Sequence, residues 1–183
     1  MLSPVVLFVY NRPFHTLKTL EALEKNYLAD QSILFIYSDG YPDNSDDNLV
    51  SNVEQVRDII RRKKWCKEVI IFESNFNKGL ANSIISGVTF VIKKFGKIIV
   101  LEDDLIVSRN FLTFMNFSLD FYQSNYQVMQ ISGFSFPSPK IDKLNGCFFL
   151  PITSTWGWAT WFRVWNNIDF DNPNNQNLYY SIL

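Results

Sequence analysis

Three consecutive acids, Glu102, Asp103 and Asp104, close the run Lys97-Ile98-Ile99-Val100-Leu101. A near-continuous apolar run of this length reads as a strand buried on both faces, as in a parallel sheet. Such a strand has no use for three carboxylates, whose mutual repulsion is a cost unless a cation offsets it. In an open α/β sheet, ligands bind beyond the carboxyl ends of the strands, so the acids are expected at the mouth of a site. Carboxylates with no histidine or thiol beside them suit a hard, oxygen-seeking ion, Mg2+ or Mn2+. The alternative is a strand end running into a solvated acidic turn.

Three other stretches carry candidate chemistry. Asp39 follows the run Ser32-Ile33-Leu34-Phe35-Ile36-Tyr37 and so belongs on the same side of the sheet as Asp104. Lys78-Gly79 opens a helical pattern, where a lysine backed by free N–H groups can neutralise phosphate, or can be a solvated residue at an ordinary helix entry. Trp156, Trp158, Trp161 and Trp165 fall within ten residues. Indoles suit stacking on sugars as well as core packing. Trp158, Trp161 and Trp165 are spaced i, i+3, i+7, which predicts one buried helix face. Trp156, ahead of Gly157, lies off that stripe and is the candidate for a site wall.

The elements that must position these residues alternate regularly. Pro4 to Tyr10 reads as a strand, and Asn11-Arg12-Pro13 ends it, with proline placed to open a helix carrying Leu17, Leu20, Leu23 and Leu28. His15 falls in the first turn of that helix and reads as structural or merely exposed. The strand ending before Ser38-Asp39-Gly40 is followed by a polar loop and a helix with Leu49, Val53, Val56, Ile59 and Ile60 on one face. Its last turn, Arg61-Arg62-Lys63-Lys64, complements the helix dipole. Glu68 to Phe72 is a third strand, followed by a helix through Ile84, Ile85, Val88 and Val91. After the acids, Phe111, Phe114, Met115 and Leu119 suit a helix packed on the sheet, and Gln127 to Gly133 reads as a further strand. Strand-helix alternation of this kind implies right-handed crossovers and a Rossmann-like α/β unit, a mainly parallel central sheet flanked by helices.

The totals bound the function. The chain has 183 residues, enough for one domain, and a formal net charge of −1 with no basic footprint for a nucleic acid. The two cysteines, Cys66 and Cys147, stand in no metal-ligand spacing and read as free thiols of a reducing, cytoplasmic setting. His15 is the one histidine, which argues against a Ser-His-Asp triad or a histidine-rich zinc site. No apolar run approaches the ~20 residues of a membrane-spanning helix. Peripheral association with the inner face of a membrane stays open.

Taken in order, these motifs resemble the nucleotide-sugar glycosyltransferases of the GT-A fold, in particular the N-acetylglucosaminyltransferase I group and related bacterial family-2-like enzymes. The likeness rests on Pro4 to Pro13, Ser38-Asp39-Gly40, Asn77-Lys78-Gly79-Leu80, Val100 to Leu105 followed by Ser108-Arg109-Asn110-Phe111, and Trp156 to Trp161. Glu102 and Asp104 reproduce the acid-x-acid spacing that such enzymes use to hold a metal-bound diphosphate. The resemblance implies that Arg12 lies near the nucleotide diphosphate, Asp39 hydrogen-bonds the base, and Lys78 sits near the nucleotide. It also implies that Glu102 and Asp103 contact ribose and donor sugar, Asp104 binds Mn2+ or Mg2+, and Trp156 walls the donor and acceptor side.

On this reading residues 1–183 form one glycosyltransferase domain, with a nucleotide-sugar part over about 1–125 and an acceptor-side part over about 126–183. It would move a sugar, expected from a UDP donor, to a glycan or other hydroxyl acceptor with inversion. The family's catalytic base follows the Gly-Trp segment at a distance; here only Asp169 and Asp171 follow it, both close. Two rivals remain: a truncated or degenerate domain that binds nucleotide-sugar without turnover, and a nucleotidyltransferase. The second would carry a glycine- and basic-rich loop where Asn11-Arg12-Pro13 stands. The apolar end, Leu178 to Leu183, is expected to bury against the sheet, a second copy of the chain or further C-terminal sequence.

Overall fold

The computed structural model describes residues 1–136 and 146–170. Strands β1 (Val5–Val9), β2 (Ile33–Ser38), β3 (Glu68–Glu73) and β4 (Lys97–Glu102) alternate with helices α1 (Pro13–Glu24), α2 (Asp47–Arg61) and α3 (Leu80–Phe95). Helix α4 (Phe111–Phe121), strands β5 (Ile131–Ser132) and β6 (Trp158–Trp161), and the short helix α5 (Phe162–Trp165) follow. The sheet order is β3-β2-β1-β4-β6-β5. β1, β2, β3 and β4 are mutually parallel, and β6 runs antiparallel to its neighbours β4 and β5.

Side-chain alternation along the central strands divides the core into two layers. Val5, Leu7 and Val9 of β1 and Ile99 and Leu101 of β4 face α1, α2 and α4, through Leu20, Leu23, Val56, Ile60, Leu112 and Met115. Val6 and Phe8, with Ile98 and Val100, face α3 through Val88, Val91 and Ile92. The two central strands, β1 and β4, are thus buried on both faces, which is why their sequences lack a polar side.

Local chemistry sets the helix starts. Pro13 occupies the first turn of α1, and Asp46 caps α2 by accepting the Leu49 N–H at 2.7 Å. The cap of α4 comes from elsewhere. Asn110 makes no side-chain cap bond, and Asn26, beyond the end of α1, accepts the Leu112 N–H at 3.0 Å instead. The basic residues at and beyond the end of α2 do more than face its dipole: Arg61 pairs with Glu73, and Lys63 pairs with Glu24 at 2.8 Å.

Two expectations need correction. Trp158 and Trp161 do not share a helix face with Trp165, because Trp158–Trp161 is strand β6, paired on the edge of β4 with Trp161 opposite Lys97. All three rings are buried, but on different sides of the sheet. Trp161 joins the α1–α2–α4 layer and Trp158 and Trp165 the α3 layer. Over four residues an apolar segment satisfies either period, and the open edge of β4 decided between them. The strand expected over Gln127–Gly133 shrinks to Ile131–Ser132. Asp171, Leu178 to Leu183, Pro137 and Pro139 lie outside the described residues.

Candidate functional site

Sequence order and sheet order part company at β1. The chain steps outward from β1 to β2 and β3, then returns to place β4 on the other side of β1. The loops leaving β1 and β4 therefore diverge, and a crevice opens between them at the carboxyl ends of the strands. A cleft of about 400 Å³ lies there. Its lining includes Arg12 after β1, Asp39 after β2, Glu102 at the end of β4 with Asp103 and Asp104 after it, and Trp156 ahead of β6.

The acids are held differently. The Asp103 carboxylate accepts the Tyr10 N–H at 3.4 Å, and its backbone carbonyl accepts the Thr19 hydroxyl of α1 at 2.9 Å. Asp104 is turned outward, and its Oδ2 accepts a 2.9 Å bond from Arg12 Nη1, which also lies 3.9 Å from Asp103 Oδ1. Glu102 stands at the inner end of the trio. Burial, with Asp104 and Asp103 beside it, pushes its carboxyl up to about 7. Asp103 is raised as well, by burial first, with the Tyr10 N–H and Arg12 working against it.

Asp39 is 8% exposed and serves as an anchor. Oδ1 accepts from the N–H groups of Gly40 at 3.0 Å and Lys78 at 2.9 Å, and Oδ2 accepts from Gly79 at 3.0 Å. The chain entering α3 is thereby tied to the end of β2. Asn77 completes the tie by donating to the Gly40 carbonyl at 2.9 Å. Gly40 has to be glycine here, because a Cβ would come within 2.7 Å of the Phe76 and Ser74 backbones. Lys78 is exposed and absent from the described cleft lining, and its backbone N–H is taken up by Asp39.

The floor was not anticipated from the sequence. Phe8, Tyr37 and Phe72 stand opposite one another on β1, β2 and β3, and Phe8 is in register with Glu102 on β4. Their rings stack, at 5.5 Å between Phe8 and Tyr37 and 4.8 Å between Tyr37 and Phe72. Phe8 and Tyr37 line the cleft, and burial pushes the Tyr37 hydroxyl up to about 12. The signal was present as one aromatic near the end of each strand, but only the register aligns them.

Trp156 is 50% exposed and forms the far wall, with its ring 4.5 Å from that of Phe134. Gly157 behind it takes φ +71°, and a Cβ there would press on Phe111 at 3.1 Å. Beyond this wall a second recess of about 340 Å³ is lined by apolar groups that include Phe134, Phe136, Phe149 and Ile152.

The residues at hand suit an Mg2+ or Mn2+ ion of one kind only. Among the described residues, no three histidine, cysteine or acidic side chains are grouped as a metal cage. Asp104 is a half-exposed carboxylate at the cleft mouth. Such a donor fits an ion that keeps waters and takes oxygens from a bound phosphate.

With β4 beside β1 and β6 antiparallel on the far edge, the architecture matches solved proteins. A crystal structure of residues 1–349 of S. aureus TarS matches with a TM-score of 0.51 at 13% identity, over 87% of this chain and 47% of that one. An active-site mutant of LgtC matches with a TM-score of 0.51 at 9% identity, over 98% of this chain and 65% of that one. Both are glycosyltransferases of one architecture. This is the GT-A fold. At these identities the likeness is one of fold, and the chain spans less than two thirds of either neighbour. No family model and no curated protein sequence matches the chain. Within the GT-A fold, the crevice beside β1 and β4 is where Arg12, Asp39, Glu102, Asp103, Asp104 and Trp156 meet. Asp169 does not line it. Among the described residues no helix is long and apolar enough to cross a membrane.

Proposed function

We propose that the chain binds a nucleotide-sugar, with UDP as the expected nucleotide, and serves metal-dependent, inverting glycosyl transfer to a glycan or other hydroxyl acceptor. One observation carries this reading. A guanidinium and three carboxylates meet at the switch point of a GT-A sheet, beside a backbone loop anchored on Asp39. Arg12 offers a planar fork for diphosphate oxygens. Asp39 holds the loop that shapes the nucleotide end of the cleft. Glu102 and Asp103 face the ribose and donor sugar, and Trp156 separates the donor from an apolar acceptor side. A Mn2+ or Mg2+ ion on Asp104 would supply charge neutralisation for the leaving diphosphate. The N-acetylglucosaminyltransferase I-like grouping rests on the order of the sequence motifs.

A second reading, binding without turnover, has a specific support. The acids in the cleft lining are Asp39, Glu102, Asp103 and Asp104, and Asp39 is already committed to the backbone. No further carboxylate stands ready to deprotonate an acceptor hydroxyl among the described residues. A nucleotidyltransferase is disfavoured by Asn11-Arg12-Pro13 in place of a glycine-rich loop.

Calorimetry against UDP- and GDP-sugars with Mn2+, run beside a donor-hydrolysis assay, tests both readings. Binding with hydrolysis supports the transferase, and binding without it supports the second reading. No binding to any nucleotide-sugar rejects both.

A further inference from the structure

The three acids face one cation that the chain itself supplies. Arg12 is the only basic residue in the described lining of the cleft. Rigid parts deliver it there. Pro13 sets the first turn of α1, Thr19 of the same helix bonds the Asp103 carbonyl, and the Tyr10 N–H holds the Asp103 carboxylate. The guanidinium then reaches Asp104 Oδ2 at 2.9 Å, with Asp103 Oδ1 at 3.9 Å. A metal ion that takes Asp104 as its protein ligand must compete for this carboxylate. An entering diphosphate, in turn, offers the same guanidinium a better partner, since arginine's fork matches two phosphate oxygens.

We infer that Arg12 is an internal counter-ion that guards Asp104 in the metal-free protein and passes to the donor diphosphate as the metal binds. This rests on the reading of Asp104 as the metal ligand and adds an order to it. Metal alone binds weakly, because it must displace Arg12 with nowhere for the charge to go. Nucleotide diphosphate alone binds weakly, because it meets three carboxylates and a guanidinium already paired. Together each relieves the cost of the other, so the two ligands are positively coupled, and by linkage each raises the affinity of the other by the same factor. The cleft thereby avoids holding a free divalent ion without a donor.

The test is a Mn2+ titration followed by the electron-spin-resonance signal of the free ion. It is run on the parent, on Arg12→Met, which keeps the aliphatic stem, and on Asp104→Asn. Each protein is titrated first with Mn2+ alone and then in the presence of UDP, GDP, CDP or TDP. Arg12 is 54% exposed at its side chain, so loss of fold is not expected, and thermal unfolding checks it. The expected result is that Arg12→Met binds Mn2+ alone on the order of five-fold more tightly than the parent, the scale of one lost competing ion pair. The tightening that nucleotide confers on Mn2+ should shrink in the same variant. Equal Mn2+ affinity in the parent and Arg12→Met, with nucleotide coupling intact and lost in Asp104→Asn, overturns the counter-ion role and leaves the metal site standing. Absence of Mn2+ binding in every protein with every nucleotide overturns the metal site itself, and the counter-ion role with it.

Discussion

The Asp39 carboxylate receives the backbone N–H of Lys78, 39 positions further along the chain, at 2.9 Å. A residue just after β2 thus fixes the entry to α3, and the same carboxylate takes Gly40 and Gly79 as well. The resemblance placed Asp39 on the nucleobase and Lys78 near the nucleotide. In the molecule the carboxylate accepts three backbone N–H groups, and Lys78 is exposed and outside the described lining of the cleft.

Asp39→Ala should therefore cost stability as well as binding. It strands partly buried N–H groups of Lys78 and Gly79, and hydrogen bonds to a charged acceptor are worth about 1.5–3 kcal/mol each. A loss of about 3 kcal/mol in urea unfolding is expected, together with weakened nucleotide binding. A variant as stable as the parent would show that the loop does not depend on this anchor.

Asp104→Ala should separate the two properties. Its partner Arg12 and Asp104 itself are both about half exposed, and an exposed ion pair contributes no more than about 1 kcal/mol. Losing one of three crowded carboxylates also relieves repulsion. Unfolding in metal-free buffer should stay within about 1 kcal/mol of the parent, while Mn2+-dependent binding of nucleotide diphosphate disappears in calorimetry. Retained Mn2+-dependent binding would remove Asp104 from the metal site.

Stability should depend on pH through Glu102. Its folded carboxyl is pushed from an ordinary 4.5 up to about 7, by burial first and then by Asp104 and Asp103. Between those values the folded state holds a proton that the unfolded state has released, so unfolding free energy falls as pH rises. The contribution is fully present below 4.5, declines toward about 7, and changes little above that. Denaturant midpoints in metal-free buffer from pH 5 to 8 check this, with Glu102→Gln expected to give a flatter profile.

The tryptophans should divide by position. Trp161 is 3% exposed, and its Nε1 donates to the Leu119 carbonyl at 3.0 Å, so Trp161→Ala should cost about 3–5 kcal/mol. Trp156 is 50% exposed, so Trp156→Ala should leave the unfolding midpoint nearly unchanged while weakening nucleotide-sugar affinity. Thermal unfolding and calorimetry on the two variants distinguish a core ring from a wall ring.

What the sequence determined by itself was everything that local pattern controls. Apolar runs ending in Tyr10, Tyr37 and Glu102, separated by stripes of helical period, dictate β1, β2 and β4 with helices between them. Parallel strands joined by right-handed crossovers then put Arg12, Asp39 and Asp104 at one end of the sheet. The tertiary structure alone decided the rest. Trp158–Trp161 became a strand because β4 offered an unpaired edge, a fact no four-residue pattern contains. Phe8, Tyr37 and Phe72 became a stacked row, with Phe8 and Tyr37 in the cleft lining, because strand register aligned them. Arg12 met Asp104 across 92 positions because β4 returned to the side of β1. Periodicity reports which side of an element is buried; which strand lies beside which, and so which charges meet, depends on contacts distant in sequence.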